Sequence, residues 1–287
     1  MSSIEYLNVK IKNNEMKILN KMQLLSLIIA SATTLTACGN SNAESKKTSA
    51  QTKVEVTQKA TKTNNALQIE LNKAKAAGKA AFVVVSGTGI ADTDKATAIT
   101  KGATNIYKNA VVIQMNRDLA ANENLVNEWR LSGAPLPLIL VISPKGYPTG
   151  GYILSEATAA KVAALVPSPK LDDIYSALYS KEPVFVVVSK KSNVDKAAIL
   201  KNCKAAVTQM QAKAAIVEID LNDPKEAVFI KQLNLQSVTN TTTVMVLNAS
   251  GRTTGMFNGK AETAELVTAA KRVISGGCGP SCKPGGC

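Results

Sequence analysis

A five-residue run, Phe82-Val83-Val84-Val85-Ser86, returns 103 residues later as Phe185-Val186-Val187-Val188-Ser189. A β-branched apolar run closed by a small polar residue predicts a strand buried on both faces. The flanking pattern is repeated too. Ala66-Leu67-Gln68-Ile69-Glu70-Leu71 opens a helix that reaches Gly78, a residue suited to a helix end. After the first strand come helix-compatible residues to about Asn109, then a strand over Ala110–Asn116. Leu125, Val126 and Trp129 sit at helical spacing, which predicts a short helix with Trp129 in the core. A proline-led strand follows, Pro137-Leu138-Ile139-Leu140-Val141-Ile142, then a turn at Pro144-Lys145-Gly146 and a return strand over Gly150–Ile153. A helix from about Glu156 to Val166 closes the unit at Pro167-Ser168-Pro169.

The second half repeats this order. A helix is expected over Asp173–Tyr179, the strand at Phe185, a helix from about Val194 to Lys213, and a strand over Ala214–Asp220. Ala227, Val228, Ile230 and Leu233 mark another helix, followed by strands at Thr243–Leu247 and Thr254–Phe257 and a helix to Ile274. Matching positions drift only from an offset of 103 to one of 105. A period this long exceeds solenoid repeats and predicts two domains, 65–169 and 170–275.

The chain has 287 residues, 45% of them hydrophobic, enough to build cores. It has no histidine, which removes the commonest general base, the Ser/His and Cys/His nucleophile pairs and the usual zinc and copper sites. Aromatic residues make up 4%, too few for stacking on nucleic acid. Gly87-Thr88-Gly89 follows a strand, but it lacks the third glycine of a dinucleotide fingerprint and any following Gly-Lys-Ser/Thr. Asp92 or Asp94 is expected to cap the next helix. Asp92, Asp94, Asp172 and Asp173 show no spacing that argues for hydrolysis by paired carboxylates.

Lys17 and Lys21 precede the short apolar run Leu24–Ala30, and Leu35-Thr36-Ala37-Cys38 follows. This is a secretory signal, too short to span a bilayer. Residues 1–15 do not fit it, and translation from Met16 places the lysines at the expected distance. Leu35-Thr36-Ala37-Cys38 resembles the lipobox of bacterial lipoproteins. That resemblance implies cleavage after residue 37, lipid (palmitate among its chains) on Cys38 and membrane anchoring. Gly39 stands where an inner-membrane retention Asp would be, so the resemblance points to the outer membrane in a Gram-negative cell. Residues 38–64 are polar and small and read as a flexible lipidated tether. The full chain carries +13, and losing residues 1–37 leaves +11. In an exported protein this suits envelope proteins or anionic envelope surfaces rather than nucleic acid, and the lysines are scattered.

The order helix, strand, helix, strand, helix, proline-led strand, hairpin and helix resembles the thioredoxin fold. The residues that carry the likeness are Glu70–Lys79 running into Phe82–Val85, and Leu136–Gly146. It implies an α/β architecture: two tandem three-layer thioredoxin-like domains, with Pro137 as the structural cis-proline. Thioredoxins place Cys-x-x-Cys at the start of the helix after the central strand, where the helix dipole favours a thiolate. The matching stretches, Gly87–Asp94 and Lys190–Asp195, contain no cysteine, and Thr242 replaces the proline in the second unit. Cys203 shares a helix face with Ile199, Leu200, Val207 and Met210 and reads as core.

The remaining cysteines, Cys278, Cys282 and Cys287, lie in the Gly- and Pro-rich tail 276–287. Three readings stand. Three thiolates on a flexible loop can close on a thiophilic metal such as Cu(I) or Zn(II). In an oxidising compartment two can pair and leave one for a partner. Or the tail is inert. The expectation is an anchored binding or scaffolding lipoprotein, not an enzyme, whose domains are redox-inactive. The alternative is a thiol–disulfide or metal-handling enzyme of the envelope that acts through the tail.

Overall fold

The computed structural model describes residues 66–233 and 241–274. Cys38 and the tail cysteines lie outside the described residues, as do the expected signal and tether. The described residues form two four-stranded sheets, one from each half of the repeat.

In the first module, α1 (Ala66–Ala76) leads into β1 (Ala80–Ser86). Gly78 sits at φ 61, and the Lys79 N–H donates to the Ala74 carbonyl, closing α1 with a left-handed cap. Helix α2 (Thr93–Ile106) crosses to β2 (Ala110–Asn116), which runs parallel to β1. A single 3-10 turn and α3 (Glu123–Glu128) follow. Strands β3 (Leu138–Ile142) and β4 (Pro148–Ile153) return antiparallel, giving the order β2-β1-β3-β4, and α4 (Ala159–Ala163) ends the module.

The second module repeats this with α5 (Pro169–Tyr179), β5 (Val184–Ser189), α6 (Lys196–Gln209), β6 (Ala215–Asp220), α7 (Ala227–Gln232), β7 (Thr243–Leu247), β8 (Thr253–Asn258) and α8 (Thr263–Lys271). Its strand order is β6-β5-β7-β8, with the same parallel and antiparallel pairings. Even the register slip recurs, at Val141/Ile142 and Val246/Leu247.

The doubled run is the middle of each core. Phe82 to Val85 and Val184 to Val188 are fully buried. Alternation divides them between two faces. Ala81, Val83 and Val85 pack with α1, with α3 and with Trp129 just after it; Phe82 and Val84 pack with α2 and α4. In the second module Phe185 and Val187 meet α6 and α8, while Val184, Val186 and Val188 meet α5 and α7. Helices therefore cover both faces of each sheet. A parallel pair extended by an antiparallel hairpin, with helices on both sides, is the thioredoxin-like fold, present here in tandem.

Several helix ends differ from the sequence reading. Helix α4 is confined to Ala159–Ala163 because the Thr158 hydroxyl accepts the Lys161 N–H and sets a late start. Pro169 opens α5 at its first position rather than only stopping α4, since a missing N–H costs nothing there. Helix α6 ends at Gln209, before the positive φ angles of Gln211 and Ala212. Asp92 precedes α2, but at φ 64 its side chain forms no cap and pairs instead with Lys95 at 2.8 Å.

Candidate functional site

The end of the sheet where β1 and β5 stop is where a thioredoxin carries its dithiol. In the first module the loop is Gly87-Thr88-Gly89-Ile90-Ala91-Asp92 and in the second Lys190-Lys191-Ser192-Asn193-Val194-Asp195. Asp92 and Asp195 hold the equivalent position just before α2 and α6.

The first loop is held from below. Arg117 follows β2, and its N–H donates to the Ser86 carbonyl at 2.8 Å. Its guanidinium donates to the carbonyls of Leu131 and Ala134 at 2.9 and 2.7 Å, fixing the segment that leads to Pro137. The Asp118 carboxylate accepts the Thr88 N–H at 2.6 Å. A Cβ on Gly87 would lie 2.8 Å from Asp118 Oδ2 and 3.1 Å from Leu136 Cδ1, so a side chain there would push the Asp118 carboxylate away from the Thr88 N–H. The Leu136–Pro137 peptide bond is cis. The Pro137 carbonyl accepts the Leu154 N–H, whereas among the described residues the backbone of Leu136 bonds to no other backbone group. Ile90 is 38% and Leu119 55% exposed, so the rim of this edge is apolar and open.

The second edge is closed. Thr242 stands where Pro137 does and, unlike proline, has an N–H to satisfy. Both this N–H (3.0 Å to Oδ2) and the Thr242 hydroxyl (2.7 Å to Oδ1) donate to Asp195. Thr242 is fully buried, so the loop before α6 is fastened to the strand that leads into β7. Asn193 also closes the loop on itself by accepting the Lys190 N–H. Arg117 and Asp118 have no counterparts here, because Leu221 and Asn222 follow β6.

Neither loop contains a thiol. Cys203 is buried on α6, and burial, with a smaller effect of the Glu218 charge, pushes its thiol up to about 11. It therefore stays protonated and a poor nucleophile. Among the described residues no group of three His, Cys, Asp or Glu side chains could hold a metal. A cavity of about 120 Å³ lies under α1, lined by Lys75, Lys79, Glu128, Trp129 and Ser143, at the opposite end of β1. That is smaller than ordinary ligand pockets, which begin at roughly 300 Å³. No described helix is long and apolar enough to cross a membrane.

Sequence reading named Pro137, Thr242, Asp92 and Cys203 but missed Arg117 and Asp118, which define the first edge, and the bond from Thr242 to Asp195. The polar break Asn116-Arg117-Asp118 at the end of an apolar strand was the available signal for the first pair.

No family model matches the sequence, and no curated protein matches it. Solved structures similar to it include the first two thioredoxin domains of Saccharomyces cerevisiae Eps1p, at 13% identity over 71% of this chain and 96% of that one, TM-score 0.26. Zinc-bound human ERp44 is 11% identical over 70% of this chain and 57% of that one, TM-score 0.31. A domain of the alkylhydroperoxide reductase AhpF from Enterococcus faecalis is 8% identical over 71% and 98%, TM-score 0.24. The fold assignment rests on strand order and pairing, not on these scores.

Proposed function

We propose that this chain is a lipid-anchored binding protein of the cell envelope whose thioredoxin-like modules perform no dithiol exchange. Lipid on Cys38 holds it to the membrane, the outer one in a Gram-negative cell. The first module offers its open edge to extended polypeptide, with the Leu136 backbone as a pairing partner and Ile90 and Leu119 as an apolar rim. The tail thiols of Cys278, Cys282 and Cys287 engage a soft metal or partner thiols. The observation that carries this reading is the pair of cysteine-free loops, one of them fastened shut through Asp195.

Full chain purified from the envelope, compared with a chain truncated after Ser275, tests it. Intact mass should show acyl chains on Cys38. Neither form should turn over a model protein disulfide above the reagent background. Turnover by the full chain that the truncation abolishes would make the tail an enzyme. Turnover by the truncated chain would overturn the reading outright, and an unacylated chain retaining residues before Cys38 would overturn the anchoring.

A further inference from the structure

Helix α5 faces two ways. Ile174 and Ala177 are buried in the second module with Val186 and Met245. Asp172, Asp173, Ser176 and Tyr179, spaced as one helical stripe, lie along the β3–β4 turn of the first module. The Lys145 N–H donates to Asp172 Oδ2 at 3.0 Å, and the Lys145 ammonium pairs with Asp173 at 2.5 Å. The Ser176 hydroxyl donates to the Tyr147 hydroxyl at 3.3 Å, and the rings of Tyr147 and Tyr179 meet with centroids 4.7 Å apart.

Asp172 belongs to this contact. It is 3% exposed, and among the described residues its Oδ1 has no hydrogen-bond partner. A buried carboxylate with an unserved oxygen is costly when ionised and far less so when neutral. The titratable and charged groups that act on it come from three places: Asp173 and Tyr175 on α5, Lys145 on the turn beside the Ser143 hydroxyl, and Tyr107 at the end of α2. Lys170 is engaged with Asp173 at 3.7 Å. Among the described residues the only cation acting on Asp172 is thus Lys145, half exposed and already paired. Burial pushes the Asp172 carboxyl up from its ordinary value; the Ser143 hydroxyl and the Lys145 N–H and charge pull it partly back, and Asp173 adds to the rise.

We propose that Asp172 makes the contact between the two modules proton-sensitive, its protonation seating α5 on the β3–β4 turn and its ionisation loosening it. The sign follows from linkage. When the contact opens, the carboxylate meets water and regains an ordinary value of about 3.9. The closed contact therefore holds the proton more tightly. Its full strength is present below the ordinary value and is lost as pH rises through the raised one. A single carboxylate thus couples proton concentration to how firmly the two modules are held.

Amide hydrogen exchange at residue 145 of the full chain, corrected for the intrinsic rate and followed between about pH 4 and pH 8, tests this. Local opening should increase as pH rises from the ordinary value through the raised one and then level off. In Asp172→Asn the opening should be flat over the same range. Lys145→Met removes an exposed side chain that favours the ionised form, so the pH at which opening levels off should rise. Equal pH dependence in wild type and Asp172→Asn would overturn the proposal. If Asp172→Asn does not fold, a downward or absent shift in Lys145→Met would overturn it alone.

Discussion

Replacing one proline by threonine changes what an edge of this fold must do. Pro137 has no N–H, so the first edge needs no acceptor there. Thr242 brings a buried N–H and a buried hydroxyl, and Asp195 serves both. Removing the acceptor leaves two buried donors unsatisfied. Asp195→Ala is therefore expected to cost about 1–3 kcal/mol, several degrees in Tm. Asp92→Asn, at the matching position of the first module, keeps a residue that tolerates φ 64 and should leave Tm unchanged, because it loses only an exposed pair with Lys95. A thermal melt of the two variants checks this; equal losses would contradict the asymmetry. Pro137 and Thr242 were legible in the sequence because each stands at the start of an apolar strand. The bond from Thr242 to Asp195 was not, because it joins residues 47 apart. Asp172 was equally silent. It sits in the first turn of α5, where an acidic residue is ordinary, and only the packing of α5 against another module buries it.

At the scale of elements, the strands were readable and the helix ends were not. β1 and β5 announce themselves because residues buried on both faces must all be apolar, and no turn chemistry competes within the run. Helix limits depend on single capping contacts, such as Thr158 with Lys161, and on left-handed residues such as Gln211 and Ala212, which carry no strong sequence mark. The cores make the strands the most sensitive elements. Phe82 lies fully buried between β1, α2 and α4, and Phe82→Ala should destabilise by about 3–5 kcal/mol. Phe185→Ala should cost a similar amount for the packing of α6 and α8. Chemical denaturation checks both. A loss below about 1 kcal/mol in either would mean that the core re-closes around the cavity.

For the whole molecule, duplication has yielded two modules with one architecture and different edges. The first keeps its edge open, propped by Arg117 and Asp118; the second seals it. That division suits a protein in which one module binds and the other supports it, with α5 shared between the second core and the turn of the first. Repetition made the architecture legible from sequence, because each copy confirms the other. The difference between the two edges was not legible, since it depends on which side chain reaches across each loop. The most direct test is equilibrium binding of an unfolded, cysteine-free polypeptide to the full chain and two variants. Ile90→Asp combined with Leu119→Asp places charge on the rim of the first edge and should weaken binding about tenfold or more. Val194→Asp alters a fully exposed residue on the sealed second edge and should leave affinity unchanged. Equal affinity for wild type and the rim variant, or loss only in Val194→Asp, would contradict the assignment of binding to the first module.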